Sequence, residues 1–252
     1  MMRYVAMIVL LSSTFAVGAP VRADDPKPAS KDNPKARYEF KENHDPDGIG
    51  KFYLGREIAH VMGFQASGWL ERTEREKEEE PGKLLKALEV KEGMVVADVG
   101  AGSGFHTFRI APLVGEKGKV LAVDIQPEML DLIKQRAKKE KVTNVEPVKS
   151  TEADPKLPKE SVDLIFMVDV YHELSQPYEM TEKMVASLKP GGRMVFVEFR
   201  LEDDKVPIKL VHKMTERQVI REMGPFPEME HTKTVETLPW QHIIIFTKKA
   251  AK

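Results

Sequence analysis

Cysteine is absent from all 252 residues, which excludes disulfide frameworks, thiolate-ligated zinc or iron–sulfur sites and a lipoprotein anchor, while leaving the compartment open. An excess of one charge is missing too. Thirty-nine basic residues face 40 acidic ones, a formal net charge of −1, so nothing draws the chain globally toward nucleic acid. The N-terminal apolar run from Val5 to Ala19 is about 15 residues long, short of the ~20 that span a bilayer as a helix. With 41% apolar and 31% charged residues, the composition is that of a soluble globular protein with one domain and extensions.

The first 23 residues read as an address. Arg3, the apolar run and the small residues after it follow the order of a secretory signal. Val21 and Ala23 are suitably small for cleavage before Asp24, so the protein is expected to be exported, periplasmic or secreted; the alternative, an uncleaved signal anchor, is the one membrane attachment the sequence allows. Cleavage removes Arg3 and Arg22 and no acid, moving the charge from −1 to −3. Residues 24–50 are expected as a flexible tether, the Pro-, Asp- and Lys-rich stretch 24–36 having almost nothing to bury. Residues 51–80 are expected as an N-terminal helical extension that caps the domain. Phe52, Ile58, Val61 and Met62 suggest a short helix, and Glu71/Arg75 and Arg72/Glu76 pair at helical spacing on a solvated face. Pro81 then opens a helix carrying Leu84, Leu85 and Leu88 on one side, at the start of a domain over 81–252.

The most informative segment follows. Met94 to Val99 is an apolar run broken only by Asp98, as expected of a parallel strand covered on both faces, and it empties into Gly100-Ala101-Gly102-Ser103-Gly104. A strand, a glycine turn and a helix start together present free backbone amides at the positive end of a helix dipole, a receptor for an anionic group. About twenty residues on, a second strand, Val120 to Val123, ends in Asp124, placed to accept hydrogen bonds from two ribose hydroxyls. Strands alternating with helices at 127–140, 177–188 and 215–223 demand a parallel sheet with helices on both faces.

Dinucleotide dehydrogenases carry G-x-G-x-x-G, but here the third glycine arrives one residue early and Phe105 stands where their last glycine belongs. Asp98-x-Gly-x-Gly-x-Gly104 with Asp124 resembles instead the class I S-adenosylmethionine (SAM)-dependent methyltransferases. Leu157 to Val168, Leu188 to Val197 with its Pro190-Gly191-Gly192 turn, and Pro239 to Phe246 are similar to that family's fourth, fifth and last strands. The resemblance implies a Rossmann-like α/β fold: a mostly parallel seven-stranded sheet with one antiparallel strand. It implies SAM as cofactor, with Asp98 near its amino group, Gly100, Ala101, Gly102 and Gly104 facing its methionine end, Asp124 on the ribose, Ile125 against the adenine, and Thr151 or Glu152 at the adenine amine.

Methyl transfer from a sulfonium is an in-line displacement, so the protein has to hold a nucleophile against the methyl group, exclude water and take a proton only if the nucleophile carries one. Ligands of open parallel sheets bind beyond the carboxyl ends of the strands, where Val168-Asp-Val-Tyr-His-Glu173 lies. His172 is the candidate base, Asp169 or Glu173 its orienting group, and Tyr171 a pocket wall. No metal is expected, because His44, Asp45 and Asp47 have no recognisable ligand spacing with His172 and Glu173, and Asp45-Pro46-Asp47-Gly48 reads as a turn. His106 is near the cofactor by position or merely starts a helix, and Trp69 is expected to bury the extension against the domain. A methyltransferase acting on a small molecule or a protein side chain is the leading reading. A non-catalytic exported nucleoside-binding module is the second, since export removes the chain from the cytoplasm where SAM is made. An NAD-dependent oxidoreductase is the third.

Overall fold

The computed structural model describes residues 37–250, so the signal segment and most of the expected tether lie outside the described residues. Seven strands form the main sheet. They are β4 (Val95–Val99), β5 (Lys119–Asp124), β6 (Val145–Lys149), β7 (Val162–Val168), β8 (Leu188–Phe199), β9 (Met229–Val235) and β10 (Gln241–Lys248), in the order β6-β5-β4-β7-β8-β10-β9. Only β10 runs against the rest, pairing antiparallel with both β8 and β9. Five helices surround the sheet: α3 (Pro81–Leu88), α4 (Thr107–Val114), α5 (Pro127–Glu140), α6 (Pro177–Ser187) and α7 (Glu216–Met223).

The central strands are apolar at most register positions, Asp98 in β4 and Asp163 in β7 being interior breaks, because both faces are covered. Ala97, Val99, Leu121, Val123, Ile165 and Met167 join one core, and Val96, Val120, Leu164 and Phe166 join the other with Leu84 and Leu88 of α3. Pro190-Gly191-Gly192 does not interrupt β8 as a free turn. It is a bulge, the partner register jumping from Val162↔Leu188 to Leu164↔Arg193 with Gly191 at φ +77°. α7 is capped by Thr215 Oγ1, which accepts from the Gln218 N–H at 3.0 Å.

The N-terminal extension departs from expectation. In place of a helix over 51–70 the chain forms a three-stranded antiparallel sheet of β1 (Tyr38–Phe40), β2 (Gly48–Tyr53) and β3 (Arg56–Ala59), which also takes in the end of the expected tether. Backbone conformation overrides the apparent helical spacing. Leu54 and Gly55 have φ of +47° and +87° between the paired Tyr53 and Arg56, the two left-handed residues of a tight hairpin turn. Tyr53 and Ile58 are thereby fully buried against the main core. Only single turns of helix follow, α1 (Ser67–Leu70) and α2 (Arg75–Glu78). Nor are residues 71–80 simply a solvated face. Arg75 and Glu79 are buried, paired at 2.6 Å, and Arg72 bonds both Glu78 and Glu79. Trp69 does not seal the interface: it stays 43% exposed, with the Arg72 guanidinium 3.6 Å from its ring centroid.

The chain runs outward from β4 to β5 and β6, then returns to β7 on the other side of β4. Beyond the carboxyl ends of β4 and β7 the connecting loops part, and that switch point is where a ligand crevice forms in such sheets.

Candidate functional site

A cavity of about 550 Å³ occupies this switch point, a size suited to a small organic molecule. Its floor is the glycine loop. Gly100 has φ +75°, and a Cβ there would lie 2.4 Å from a Val170 methyl, so the loops after β4 and β7 meet in a contact only glycine allows. Gly102, at φ +55°, donates its N–H to Asp124 Oδ2 at 2.9 Å, and Gln126 N–H donates to the other oxygen at 2.8 Å. The second acid thus pins the glycine loop and lines the cavity, with burial raising its pKa against those two bonds. Gly100, Gly102, Asp124, Ile125, Thr151, Glu152, Asp169, His172 and Glu173 all line the space.

Four candidates lie behind it. Asp98 is buried below the loop and accepts the Thr107 hydroxyl proton at 2.6 Å; burial pushes its pKa up to about 7, with Thr107 and Arg75 opposing and Asp124 adding to the rise. Ala101 packs with Phe108, Ala122 and Ile133. A Cβ on Gly104 would meet Phe108 at 2.9 Å, so this glycine permits close approach of α4. Tyr171 is no pocket wall but a core residue, fully buried edge-on to Phe196. His106 is also buried outside the cavity, its Nε2 3.3 Å from Arg75, and burial followed by the neighbouring Arg75 and Arg109 holds its pKa well below the usual value.

The roof comes from the extension. Ile49, Ala59, His60, Val61, Met62, Trp69 and Leu70 line the cavity, and Leu70 reaches within 2.6 Å of where a Gly102 Cβ would stand. Gln126 fastens one side, accepting from Phe64 N–H at 2.8 Å and donating to Met62 O at 2.9 Å; Glu173 accepts from Met62 N–H on the other at 3.4 Å. Arg56 ties the hairpin down through buried Glu222 at 2.7 Å and donates to His172 O at 3.0 Å.

One end of the cavity is a cluster that sequence patterns identify only in part. His172 Nδ1 stands 2.6 Å from Oε2 of fully buried Glu198, whose Oε1 accepts the Tyr171 N–H at 2.9 Å. The orienting acid is therefore Glu198, from the interior of β8, and not Asp169 or Glu173. His172 Nε2 points at His212 Nδ1, 3.2 Å away on the single 3-10 turn Leu210–His212, with Glu173 Oε1 3.8 Å from His212 and 4.0 Å from His172. Burial opposes charge on His172, but Glu198 outweighs it and raises the pKa; burial also pushes Glu173 up to about 7 and lowers His212. The other polar group does not join. Asp47 pairs with Lys209 at 2.7 Å, His44 lies 3.1 Å from Glu57, and Asp45 accepts the N–H groups of Asp47 and Gly48, making the turn.

Asp169 supplies the test of an ordered cofactor. Held at φ +55°, it accepts from Gln241 Nε2 at 3.0 Å through Oδ2, whereas its buried Oδ1 has no hydrogen-bond partner. An unpartnered carboxylate oxygen at one side of the glycine loop, with Asp124 at the other, fits a molecule carrying an ammonium at one end and a ribose at the other.

Comparison with known proteins agrees. Residues 90–244 match a family described as a methyltransferase domain. The chain is 24% identical over 158 residues to a demethylmenaquinone methyltransferase of Lactococcus lactis, covering 63% of this chain and 61% of that one. It is 31% identical over 111 residues to the ubiquinone/menaquinone biosynthesis C-methyltransferase UbiE of Salmonella arizonae, covering 44% of each. The matches thus span less than two thirds of these curated relatives. A SAM-dependent methyltransferase structure from Aquifex aeolicus superposes with a TM-score of 0.70 at 30% identity, over 75% of this chain and all of that one. A type 11 methyltransferase structure from Sulfolobus solfataricus, at 23% identity and TM-score 0.55, covers 69% of this chain and 95% of its own and shares the fold. Strand order, glycine loop, second acid and these likenesses together place the chain in the methyltransferase-domain family, among the SAM-dependent methyltransferases.

Proposed function

We propose that the chain transfers a methyl group from SAM to a small-molecule acceptor held beneath the N-terminal roof. The observation that carries this reading is that one cavity runs from the glycine loop and Asp169 to the His172 cluster. When bound, SAM supplies an electrophilic methyl group on a sulfonium. The chain's own residues then do three things: Asp169 Oδ1 accepts from the ammonium, Asp124 orients the ribose against Ile125, and the roof keeps water from the reacting atoms. The acceptor side is largely apolar, with Ile49, Met62, Leu174 and Ile208 on its wall, which suits a small molecule with an apolar body better than a protein side chain. The quinone-pathway names of the curated relatives are consistent with such an acceptor.

Calorimetric titration with S-adenosylhomocysteine tests the cofactor half; binding is expected, and it should be lost in Gly102→Val, which adds a strained side chain against Leu70. No binding by the unaltered chain refutes it. Labelled-methyl SAM incubated with an organic extract and, separately, with a protein lysate tests the acceptor: label in the extract supports the small molecule, and label in protein alone overturns it. We also propose export to the periplasm or medium after cleavage behind Ala23. Among the described residues no helix is long and apolar enough to cross a membrane. Fractionation with N-terminal sequencing is expected to return a mature chain beginning at Asp24, and a cytoplasmic chain beginning at Met1 would refute export.

A further inference from the structure

The His172 cluster has more order than proton transfer alone requires. Oε1 of Glu198 is taken by the Tyr171 N–H, and a carboxylate can only accept. The proton between Glu198 and His172 therefore sits on Nδ1 of the imidazole, so that in the neutral ring, the form that binds a metal, Nε2 offers its lone pair toward His212. Facing it at 3.2 Å is His212 Nδ1, and a third donor, Glu173 Oε1, lies within 4.0 Å of both. Three ligand atoms converging in this way can share one cation, the alternative being a single proton held between the two imidazoles. These three are the group among the described residues whose ligand atoms gather closely enough to share one ion.

We propose that His172, His212 and Glu173 bind a divalent transition-metal ion, with Glu198 as the outer carboxylate that fixes the His172 tautomer. With bonds of about 2.1 Å, neighbouring ligand atoms of a tetrahedral or octahedral ion stand roughly 3.0–3.4 Å apart. The two imidazole nitrogens meet that range as they stand. Glu173 Oε1 needs a movement of roughly half an ångström, small for a side chain whose one further bond is the long 3.4 Å contact from Met62 N–H. Two imidazoles and one carboxylate suit zinc, iron(II), cobalt(II) or manganese(II), and three protein ligands leave positions open toward the cavity. A carboxylate behind the metal-binding histidine is the usual outer partner of such a ligand. The three ligands come from the 3-10 turn Tyr171–Glu173 after β7 and the turn Leu210–His212 after β8, so the sheet itself brings them together.

The ion site stands on side-chain geometry alone; its use rests on the methyl-transfer reading. In that reading the open positions take an oxygen of the acceptor, a hydroxyl or enolate, and thereby face it toward the glycine loop. The acceptor class is then an oxygen-bearing small molecule able to chelate.

The test is cobalt(II) added to the untagged full chain freed of metal by dialysis against a chelator. One equivalent is expected to bind with visible d–d absorption and to be displaced by zinc(II). His212→Ala, altered on a partly exposed turn, and Glu173→Gln are each expected to weaken binding at least about tenfold, while His231→Asn on β9 leaves it unchanged. Glu198→Gln, which keeps its size, is expected to shift the spectrum and weaken binding. No cobalt or zinc uptake, or uptake unaltered in His212→Ala, overturns the proposal. S-adenosylhomocysteine titration of the same samples separates the two readings: metal uptake without nucleoside binding removes the cofactor reading and keeps the ion site, and the reverse removes the ion site alone. Retained nucleoside binding by His212→Ala shows that the variant is folded.

Discussion

Asp98 makes the stability of the fold depend on pH in a direction opposite to that of most carboxylates. It is buried under the glycine loop, and the Thr107 hydroxyl at 2.6 Å does not compensate for lost water, so its pKa stands near 7 instead of the ordinary 3.8. The folded chain thus holds this proton more tightly than the unfolded chain does. The resulting contribution to stability is fully present below about pH 4, declines as the unfolded chain ionises, and is lost once pH passes about 7. At roughly 1.4 kcal/mol per pH unit the swing is of order 4 kcal/mol, reduced to the extent that Arg75 moves closer to the ionised group. Asp98→Asn is a fixed neutral analogue: its amide oxygen can still accept from Thr107, and its amide N–H replaces the acid proton. Unfolding free energies from urea titrations at pH 4.5 and 8 should show the variant gaining on the wild type by several kcal/mol toward the higher pH. A variant-minus-wild-type difference constant within about 0.5 kcal/mol would mean that Asp98 is ionised in the fold and that the loop is better solvated than its burial implies.

Gly100→Ala combines a left-handed backbone with a Cβ 2.4 Å from Val170, and is expected to cost about 2–5 kcal/mol; equilibrium unfolding within 0.5 kcal/mol of wild type would show that the two loops can separate freely. Glu222→Ala strands the Arg56 guanidinium in a buried setting, an expected loss of about 3–5 kcal/mol, and an unchanged melting curve would show that the hairpin is not anchored there. His172→Ala is expected to keep S-adenosylhomocysteine affinity within a few fold while methyl transfer falls by about 10²-fold or more; normal turnover would remove the cluster from the chemistry.

Where sequence patterns served well, the local signal and the tertiary environment coincide. β4 and β5 are read correctly because strands buried on both faces are apolar almost throughout, Asp98 being the single break inside β4, and the turn after β4 can only be made of glycine where Val170 presses against it. The extension fails for the opposite reason. Phe52, Ile58 and Met62 mimic helical spacing, while the decisive fact is the left-handed pair Leu54-Gly55, whose first member lacks the usual turn chemistry. Glu198 leaves a trace, a lone acid in Val195-Phe-Val-Glu-Phe199, but only pairing with β7 shows that it points at His172. His212 lies in an irregular segment with no pattern at all, and His172 finds it because the turns after β7 and β8 leave adjacent parallel strands.

The division between sheet and extension also decides what relatives can say about the acceptor. The family match begins at residue 90, and with it come the glycine loop, Asp124 and Asp169, the cofactor half of the cavity. Ile49, Met62, Trp69 and Leu70 precede that boundary, yet they line the same cavity, where we propose that the acceptor is held, and the extension is clamped there by Gln126, Glu173 and the Arg56–Glu222 pair. We therefore expect cofactor binding to follow the shared domain, and the choice of acceptor to follow the segment that precedes it. Exchanging residues 37–80 between this chain and a relative should change which molecule is methylated while leaving S-adenosylhomocysteine affinity near its original value. Exchange that transfers nothing would place specificity in the loops after β7 and β8, and so with the His172 cluster itself.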